Sequence, residues 1–167
     1  MLEQDFDRRP TMPGVLGSVL AGFGVSAIIV EYTIMATVVA VAGVVLLTVG
    51  GLRGIRQLAL TGVGLLLAAI VLAGVFGIAA GAALAAGVLT ALAWDLQHNA
   101  FSLGKQVGRS ASTIRAELTH GGATLLGGTI VAGVAYGIFL MSPGGWPMSA
   151  VILAILGGFL LVLALEL

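Results

Sequence analysis

The feature that most constrains this chain is its long stretches without any charged residue. Between Leu58 and Trp94 there is no Asp, Glu, Lys or Arg, and hydrophobic residues make up 59% of the sequence against 8% charged residues. A soluble domain carries about 25% charged residues, because its surface meets water. The sequence therefore predicts an integral membrane protein, for which the lipid bilayer is the solvent.

Helices rather than strands are expected in the bilayer. A transmembrane helix needs about 20 predominantly apolar residues, whereas a barrel strand alternates apolar and polar residues. The apolar stretches of this chain are continuous and do not alternate. The predicted fold is an all-α, polytopic bundle of about six transmembrane helices with one amphipathic cytoplasmic helix. The predicted spans are 15–30, 34–52, 58–76, 78–94, 121–141 and 148–165.

The third and fourth spans are separated by glycines alone. A single helix from Leu58 to Trp94 would be roughly 55 Å long, nearly twice the roughly 30 Å thickness of the hydrocarbon layer. We therefore expect a turn within residues 74–81, where Gly74, Gly77 and Gly81 permit one. The chain then divides into a poorly ordered cytoplasmic tail (1–14), four spans (15–94), a cytoplasmic polar segment (95–120) and two spans (121–167).

The basic residues predict the orientation of the chain. Arg and Lys occur in the tail, between the second and third spans, and in the polar segment, which all lie on one side if there are six spans. Cytoplasmic loops carry an excess of Lys and Arg. We therefore expect a multi-pass protein of the cell membrane with both termini in the cytoplasm. The formal net charge of +0 argues against a nucleic-acid partner.

Small residues are abundant in the spans. The chain has 26 glycines, including pairs four residues apart such as Gly77 with Gly81 and Gly133 with Gly137. Such pairs let helix backbones approach closely in lipid. Packing within the bundle is the simpler interpretation, and a homo-oligomer interface or a pore lining is the alternative. No charged residue lies near the middle of a span, which disfavours a proton-coupled carrier.

The polar segment 95–120 contains most of the side chains that could carry chemistry. Leu103, Val107, Ala111, Ile114 and Leu118 recur every three or four residues, which predicts an amphipathic helix on the inner leaflet or under the bundle. Its polar side is a candidate docking surface for a protein partner, and a simple interfacial connector is the alternative. The candidate docking residues are Lys105, Arg109, Arg115 and Glu117.

Two carboxylate–histidine pairs lie at the ends of this segment. Asp95 and His98 are three residues apart, and so are Glu117 and His120. Such pairs share a helix face and supply ligands in di-iron bundles. A metal site built from these four residues is one hypothesis, although the additional glutamates of di-iron sites are missing. Ordinary interfacial polarity, with Asp95 paired to a nearby arginine, is the competing interpretation, and no cofactor is expected.

A distinctive set of residues extends across the polar segment. It comprises Leu92, Ala93, Trp94, Asp95, Asn99, Ala100, Leu103, Gly104, Val107, Gly108, Arg109, Arg115, Ala116, Glu117, Leu118 and His120. This region, up to about Phe139, resembles a family of uncharacterised haloarchaeal multi-pass membrane proteins. The chain departs from that family at His98 and Lys105, where acidic residues are expected. Because relatives tend to be encoded beside AAA-type ATPases and proteins with von Willebrand-like or transglutaminase-like domains, the resemblance implies a membrane partner of such a system.

Three classes of function follow from these observations. The first is a membrane scaffold or accessory subunit of an envelope complex, which binds a membrane or cytoplasmic protein. The second is a small transporter or channel, and the third is a metal-dependent membrane enzyme that uses Asp95, His98, Glu117 and His120. The sequence contains no phosphate-binding loop and no serine-nucleophile elbow, so we expect a protein that is not an enzyme.

Overall fold

Five α-helices make up the fold in the computed structural model, which describes residues 7–109 and 112–141. They are α1 (Met12–Ile29), α2 (Ile34–Arg53), α3 (Arg56–Val75), α4 (Ala80–Val107) and α5 (Ile114–Met141). These residues contain no strand, so the all-α prediction is confirmed for this part of the chain.

Each of the five helices is long and apolar enough to cross a membrane. The helices α1, α2 and α3 begin and end within three residues of the predicted spans. The other two are longer than predicted, because α4 continues past Trp94 and α5 begins before Gly121. The predicted sixth span, residues 148–165, lies outside the described residues.

The turn expected within residues 74–81 is present. The helix α3 ends at Val75, α4 begins at Ala80, and Gly77 between them has a φ of +86°. Glycine adopts this left-handed backbone without strain because it has no Cβ. Ile78 is buried and donates its backbone N–H to the Ala73 carbonyl oxygen at 3.1 Å, which holds the turn against the end of α3.

The polar segment does not form the single amphipathic helix that its apolar spacing predicts. Residues 95–107 continue α4, and α5 begins only at Ile114. Gly108 ends α4 with a φ of +84°, at which an α-helix cannot continue. The periodicity is therefore interrupted, and Val107, Ile114 and Leu118 of the predicted apolar face are exposed.

The residues just before α1 pack against the bundle. Pro10 and Thr11 are fully buried, and α1 begins at Met12 with a proline in its first turn, where the missing N–H costs nothing. Thr11 donates its backbone N–H to the Ala100 carbonyl oxygen of α4 at 3.2 Å. The prediction of a poorly ordered tail through residue 14 is therefore wrong for residues 7–14.

The core lies among α1, α2, α3 and α4. Its largest fully buried side chains include Ile29 of α1, Leu47 of α2 and both Leu66 and Ile70 of α3. The helix α1 packs mainly along α4, and α2 packs mainly along α3. The helix α5 lies on the outside of this arrangement, against α4.

The backbones of α2 and α3 approach each other at two glycines. A Cβ added to Gly43 would lie 2.8 Å from the Gly62 carbonyl oxygen, and one added to Gly62 would lie 2.6 Å from the Gly43 carbonyl oxygen. Real Cβ atoms essentially never come within 3.0 Å of another heavy atom. Any larger residue at either position would therefore push the two helices apart.

The glycine pairs singled out in the sequence have other surroundings. Gly77 lies in the turn, and a Cβ added to Gly81 would lie 3.6 Å from the ring of Tyr136. Gly133 and Gly137 have no atom of the described residues within 4 Å of an added Cβ. These pairs are therefore not close helix contacts in the described part of the bundle.

Candidate functional site at the basic end of the bundle

Three segments of the chain meet at one end of the bundle. A Cβ added to Gly54, between α2 and α3, would lie 3.5 Å from Pro10 of the N-terminal segment. Beyond the end of α4, Arg109 donates its backbone N–H to the Asp7 carbonyl oxygen at 2.9 Å. The basic residues at this end are Arg8, Arg9, Arg53, Arg56, Lys105, Arg109 and Arg115. We call this the basic end, and the positive-inside rule predicts that it faces the cytoplasm.

Glu117 is a buried carboxyl group at the junction of three helices. Only 3% of its surface is exposed, and its Oε1 accepts a hydrogen bond from the hydroxyl of Thr113, the residue before α5 begins. Its Oε2 has no hydrogen-bond partner and lies against Gly14 in the first turn of α1. The first turns of two helices therefore face this carboxyl group, and their dipoles offset part of the cost of burying it.

Thr11 lies near the same junction and also keeps an unpaired polar atom. Its side chain is fully buried, and its hydroxyl oxygen has no partner, while its backbone N–H is bonded to Ala100. A Cβ added to Gly14 would lie 2.7 Å from the Cβ of Ala100, so α1 and α4 touch closely here. The contact depends on small residues on both helices, and it leaves buried polar groups incompletely satisfied.

A second buried polar contact joins α1 to α4. The hydroxyl of Ser18 lies 2.5 Å from Oε1 of Gln97 and 2.8 Å from the carbonyl oxygen of Val15. The Nε2 of Gln97 has no hydrogen-bond partner. A Cβ added to Gly51 of α2 would lie 2.7 Å from this Nε2 atom. Gln97 therefore reaches across the bundle from α4 toward α2, between the two helix pairs.

The sequence contained a signal for the burial of Gln97. Ala93, Gln97, Ala100 and Gly104 are spaced by four, three and four residues, and all four are buried. A small-residue face at helical spacing marks where another helix packs, so the polar residue on it is expected to be buried too. This buried face was not predicted, because the predicted sites were charged residues and histidines of the segment.

Asp95 and His120 form the polar contact between α4 and α5. The Nε2 of His120 lies 3.0 Å from Oδ2 of Asp95, and the hydroxyl of Thr124 donates to the same oxygen at 2.6 Å. The carboxylate of Asp95 thus joins α4 to α5 through His120 and Thr124, whereas the arginine pair of the competing interpretation stays a hypothesis. Half of the His120 side chain remains exposed, so this contact lies at the edge of the bundle.

The four residues of the hypothetical metal site do not come together. Asp95 meets His120, whereas His98 lies beside the ring of Trp94, with 6.0 Å between the ring centroids. Glu117 is enclosed at the junction of α1, α4 and α5. Over residues 7–109 and 112–141, no three His, Asp or Glu side chains are grouped as metal ligands would be. The reason is that the break at Gly108 prevents one continuous helix from aligning the two pairs.

The four candidate docking residues also differ in their surroundings. Lys105 and Arg115 are exposed. Arg109 is half-buried, and its guanidinium lies 2.8 Å from the sulfur of Met12, so it is tied to the start of α1. Glu117 is buried and does not present its carboxyl group to a partner. Of the predicted surface, only the two exposed cations are fully available.

The comparison with known protein families gives a match over most of the chain. Residues 8–162 match DUF7519, a family of unknown function. The chain belongs to this family. The matched region includes all five helices of the fold and continues beyond α5. Membership of an uncharacterised family is thus confirmed, while the haloarchaeal source of the relatives remains a prediction. No curated protein and no solved structure matches the chain significantly.

Proposed function

We propose that this protein is an integral membrane scaffold or accessory subunit of an envelope complex, and that α5 is where it contacts a membrane helix of its partner. The single observation that carries the proposal is the exposure of α5. Within the described residues, α5 buries only Glu117 and Gly121 along its whole length. The other helices bury seven or more residues each, so α5 has the most surface left for a partner.

The surface of α5 that points away from α4 contains glycine at helical spacing. Gly121 and Gly128 mark the side toward α4, because their added Cβ atoms would touch Leu96 and Val88. With 3.6 residues per turn, Gly122, Gly133 and Gly137 share another face. In the described residues nothing lies within 4 Å of a Cβ added to any of these three. We call them the α5 glycine face.

A glycine face in lipid favours a close helix–helix contact. Apolar side chains do not drive association there, because lipid tails are equally apolar, whereas glycine lets two backbones approach. Two occupants fit this chemistry: a helix of another polypeptide and the predicted sixth span, residues 148–165. A second small-residue pair, Ala123 with Gly127, lies on a different flank of α5. One covering helix therefore leaves the other flank for a partner.

The absence of cysteine makes cross-linking a clean test. Leu126 lies near the α5 glycine face and is 64% exposed, so a Leu126→Cys variant would carry a thiol-linked benzophenone there. Leu20 of α1 is 70% exposed and provides a matched control on a different helix. After irradiation in native membranes, mass spectrometry should identify one polypeptide joined to position 126 and not to position 20.

Two outcomes would overturn the proposal. Cross-links from position 126 that end only in residues 148–165 of the same chain would show an intramolecular hairpin. Cross-links only to a second copy of the chain would show a homo-oligomer instead of an accessory subunit. That outcome would favour the transporter or channel alternative, which solute flux in proteoliposomes would then test. Proteins of an AAA-type ATPase system, implied by the family resemblance, are the first candidates to compare with the captured polypeptide.

Nothing in the described part of the bundle favours transport over a scaffold. The deeper buried hydroxyls, Ser26 and Thr90, donate to carbonyl oxygens of their own helices at 3.2 and 2.8 Å. The hydroxyl hydrogens of both residues are thus bonded within their own helices, a local arrangement that is common for Ser and Thr and does not indicate a solute site. The other buried polar side chains gather near the basic end. No catalytic activity is part of the proposal.

A further inference from the structure

A cleft with positive charge opens between α3 and α4 at the basic end. Its volume is about 270 Å³. The residues that line it are Arg56, His98, Phe101, Ser102, Lys105 and Gln106. None of these residues is acidic and two of them, Arg56 and Lys105, are basic, so the cleft combines basic side chains with polar hydrogen-bond donors.

The donors in this cleft suit a phosphate group. The Arg56 guanidinium offers a planar set of N–H donors, and the Lys105 ammonium adds a point charge. Gln106 donates from Nε2 to the Ser102 hydroxyl oxygen at 3.0 Å, and the Ser102 hydroxyl still has its own hydrogen to donate. The cleft therefore combines cationic and neutral donors, as phosphate sites commonly do.

An apolar groove adjoins the cleft on the side of the bilayer. Arg56, His98 and Phe101 line both, and the groove continues along Leu60, Val63 and Trp94. The groove encloses only about 10 Å³ and its inner wall at Val63 is buried, so an acyl chain would lie outside it, over the partly exposed Leu60 and Trp94. Tryptophan favours the headgroup level of a membrane, which places the cleft beside the lipid phosphates.

We propose that this cleft binds the phosphate headgroup of an anionic phospholipid from the leaflet at the basic end. A basic site between transmembrane helices on the cytoplasmic side is a recurrent way to hold such headgroups. Leu60 and Trp94 of the adjoining groove contact the acyl chain, which distinguishes a phospholipid from a soluble anion. The proposal is independent of the α5 partner, because no residue of α5 lines the cleft.

Native mass spectrometry of the detergent-purified protein provides the test. Phosphatidylglycerol and phosphatidylcholine with identical acyl chains are titrated, and their apparent dissociation constants are compared. The test variant is Arg56→Gln with Lys105→Gln. The matched control is Arg53→Gln with Arg115→Gln, which removes the same charge from exposed residues that do not line the cleft. Removal of two charge-assisted contacts should weaken phosphatidylglycerol binding at least about tenfold, and the control should leave it unchanged.

Inorganic phosphate in large excess distinguishes the two sources of the anion. The proposal expects it to leave phosphatidylglycerol bound, since it lacks the acyl chain. Complete displacement by inorganic phosphate would overturn the lipid assignment. If both double variants weaken phosphatidylglycerol binding equally, general surface charge and not the cleft explains the binding, and the proposal is overturned. Equal affinity of the wild-type protein for the two lipids would also overturn it, without relying on any variant.

Discussion

The contact between α2 and α3 makes a sharp prediction about Gly62. In a Gly62→Ala variant, the new methyl group would lie 2.6 Å from both the Gly43 carbonyl oxygen and the Leu47 backbone nitrogen. Both atoms belong to the α2 backbone and cannot rotate away as a side-chain end would. The strain must therefore be relieved by moving one helix relative to the other.

The cost follows from the size of that movement. Ordinary van der Waals contact begins at 3.4 Å, so α2 and α3 would have to separate locally by roughly 0.8 Å. Overpacking of this kind costs about 1–3 kcal/mol. Replacing glycine in a helix by alanine returns up to about 1 kcal/mol. The free energy of unfolding should fall by about 1–2 kcal/mol, which corresponds to a Tm roughly 2–8 °C lower.

Gly64 supplies the matched control on the same helix. A Cβ added there meets no atom of the described residues within 4 Å, so Gly64→Ala keeps the gain in helix propensity without the clash. Thermal unfolding of both variants in one detergent, followed by tryptophan fluorescence or by loss of monodisperse protein, measures the difference. Gly64→Ala should match or exceed the wild-type Tm. If the two variants shift the Tm equally, the close approach of α2 and α3 at Gly62 is not what stabilises the pair.

Three further predictions concern polar contacts and a turn. Ser18→Ala should lower the free energy of unfolding by about 1–3 kcal/mol, because it removes the hydroxyl beside Gln97 Oε1 and leaves that buried oxygen without a donor. Gln97→Leu should change the free energy of unfolding by less than about 1 kcal/mol. Chemical or thermal unfolding in which Gln97→Leu is the more destabilising variant would contradict this prediction. Asp95 and His120 are partly exposed, so a double-mutant cycle should give a coupling free energy of about 0–1 kcal/mol that decreases with salt. A larger coupling that does not depend on salt would contradict the position of this contact at the exposed edge of the bundle. Gly77→Ala should cost about 1–2 kcal/mol through its positive φ alone, since nothing described lies near its added Cβ; an unchanged Tm would show that the turn tolerates another backbone conformation.

The sequence was sufficient where length alone decides the structure. An uncharged stretch nearly twice as long as the bilayer is thick must turn back, and the turn at Gly77 lies within the predicted range. The ends of α1, α2 and α3 followed for the same reason, because charged or turn-forming residues limit each apolar stretch. These predictions needed no knowledge of which helices are neighbours.

The break at Gly108 shows where such reasoning fails. Gly104 and Gly108 are four residues apart in the same polar stretch, and neither has a neighbour in sequence that sets it apart. In the structure Gly104 remains helical and buried, with the Arg9 carbonyl oxygen against it, whereas Gly108 takes a φ of +84° and ends α4. The approach of the N-terminal segment distinguishes the two glycines, and that is a tertiary contact.

The position of Glu117 has the same cause. In the sequence it is one of several charged residues on a predicted surface helix, and nothing nearby marks it as buried. Its burial requires α1 to begin at Met12, so that Gly14 lies over the start of α5, and requires Ala100 of α4 to leave room beside it. Since three helices must converge before this site exists, periodicity within one helix could not have predicted it.

The distribution of contacts along α5 bears on how it would serve a partner. Near the basic end α5 is held by Glu117 and by the Asp95–His120 contact, while farther along Gly128 touches Val88 of α4. All of these contacts lie on the side of α5 that faces the rest of the bundle. The α5 glycine face is on another side, so a partner helix can bind there without displacing any of them. Loss of the partner should therefore leave the fold of this chain intact, and only the captured polypeptide should disappear when the glycine face is filled with larger side chains.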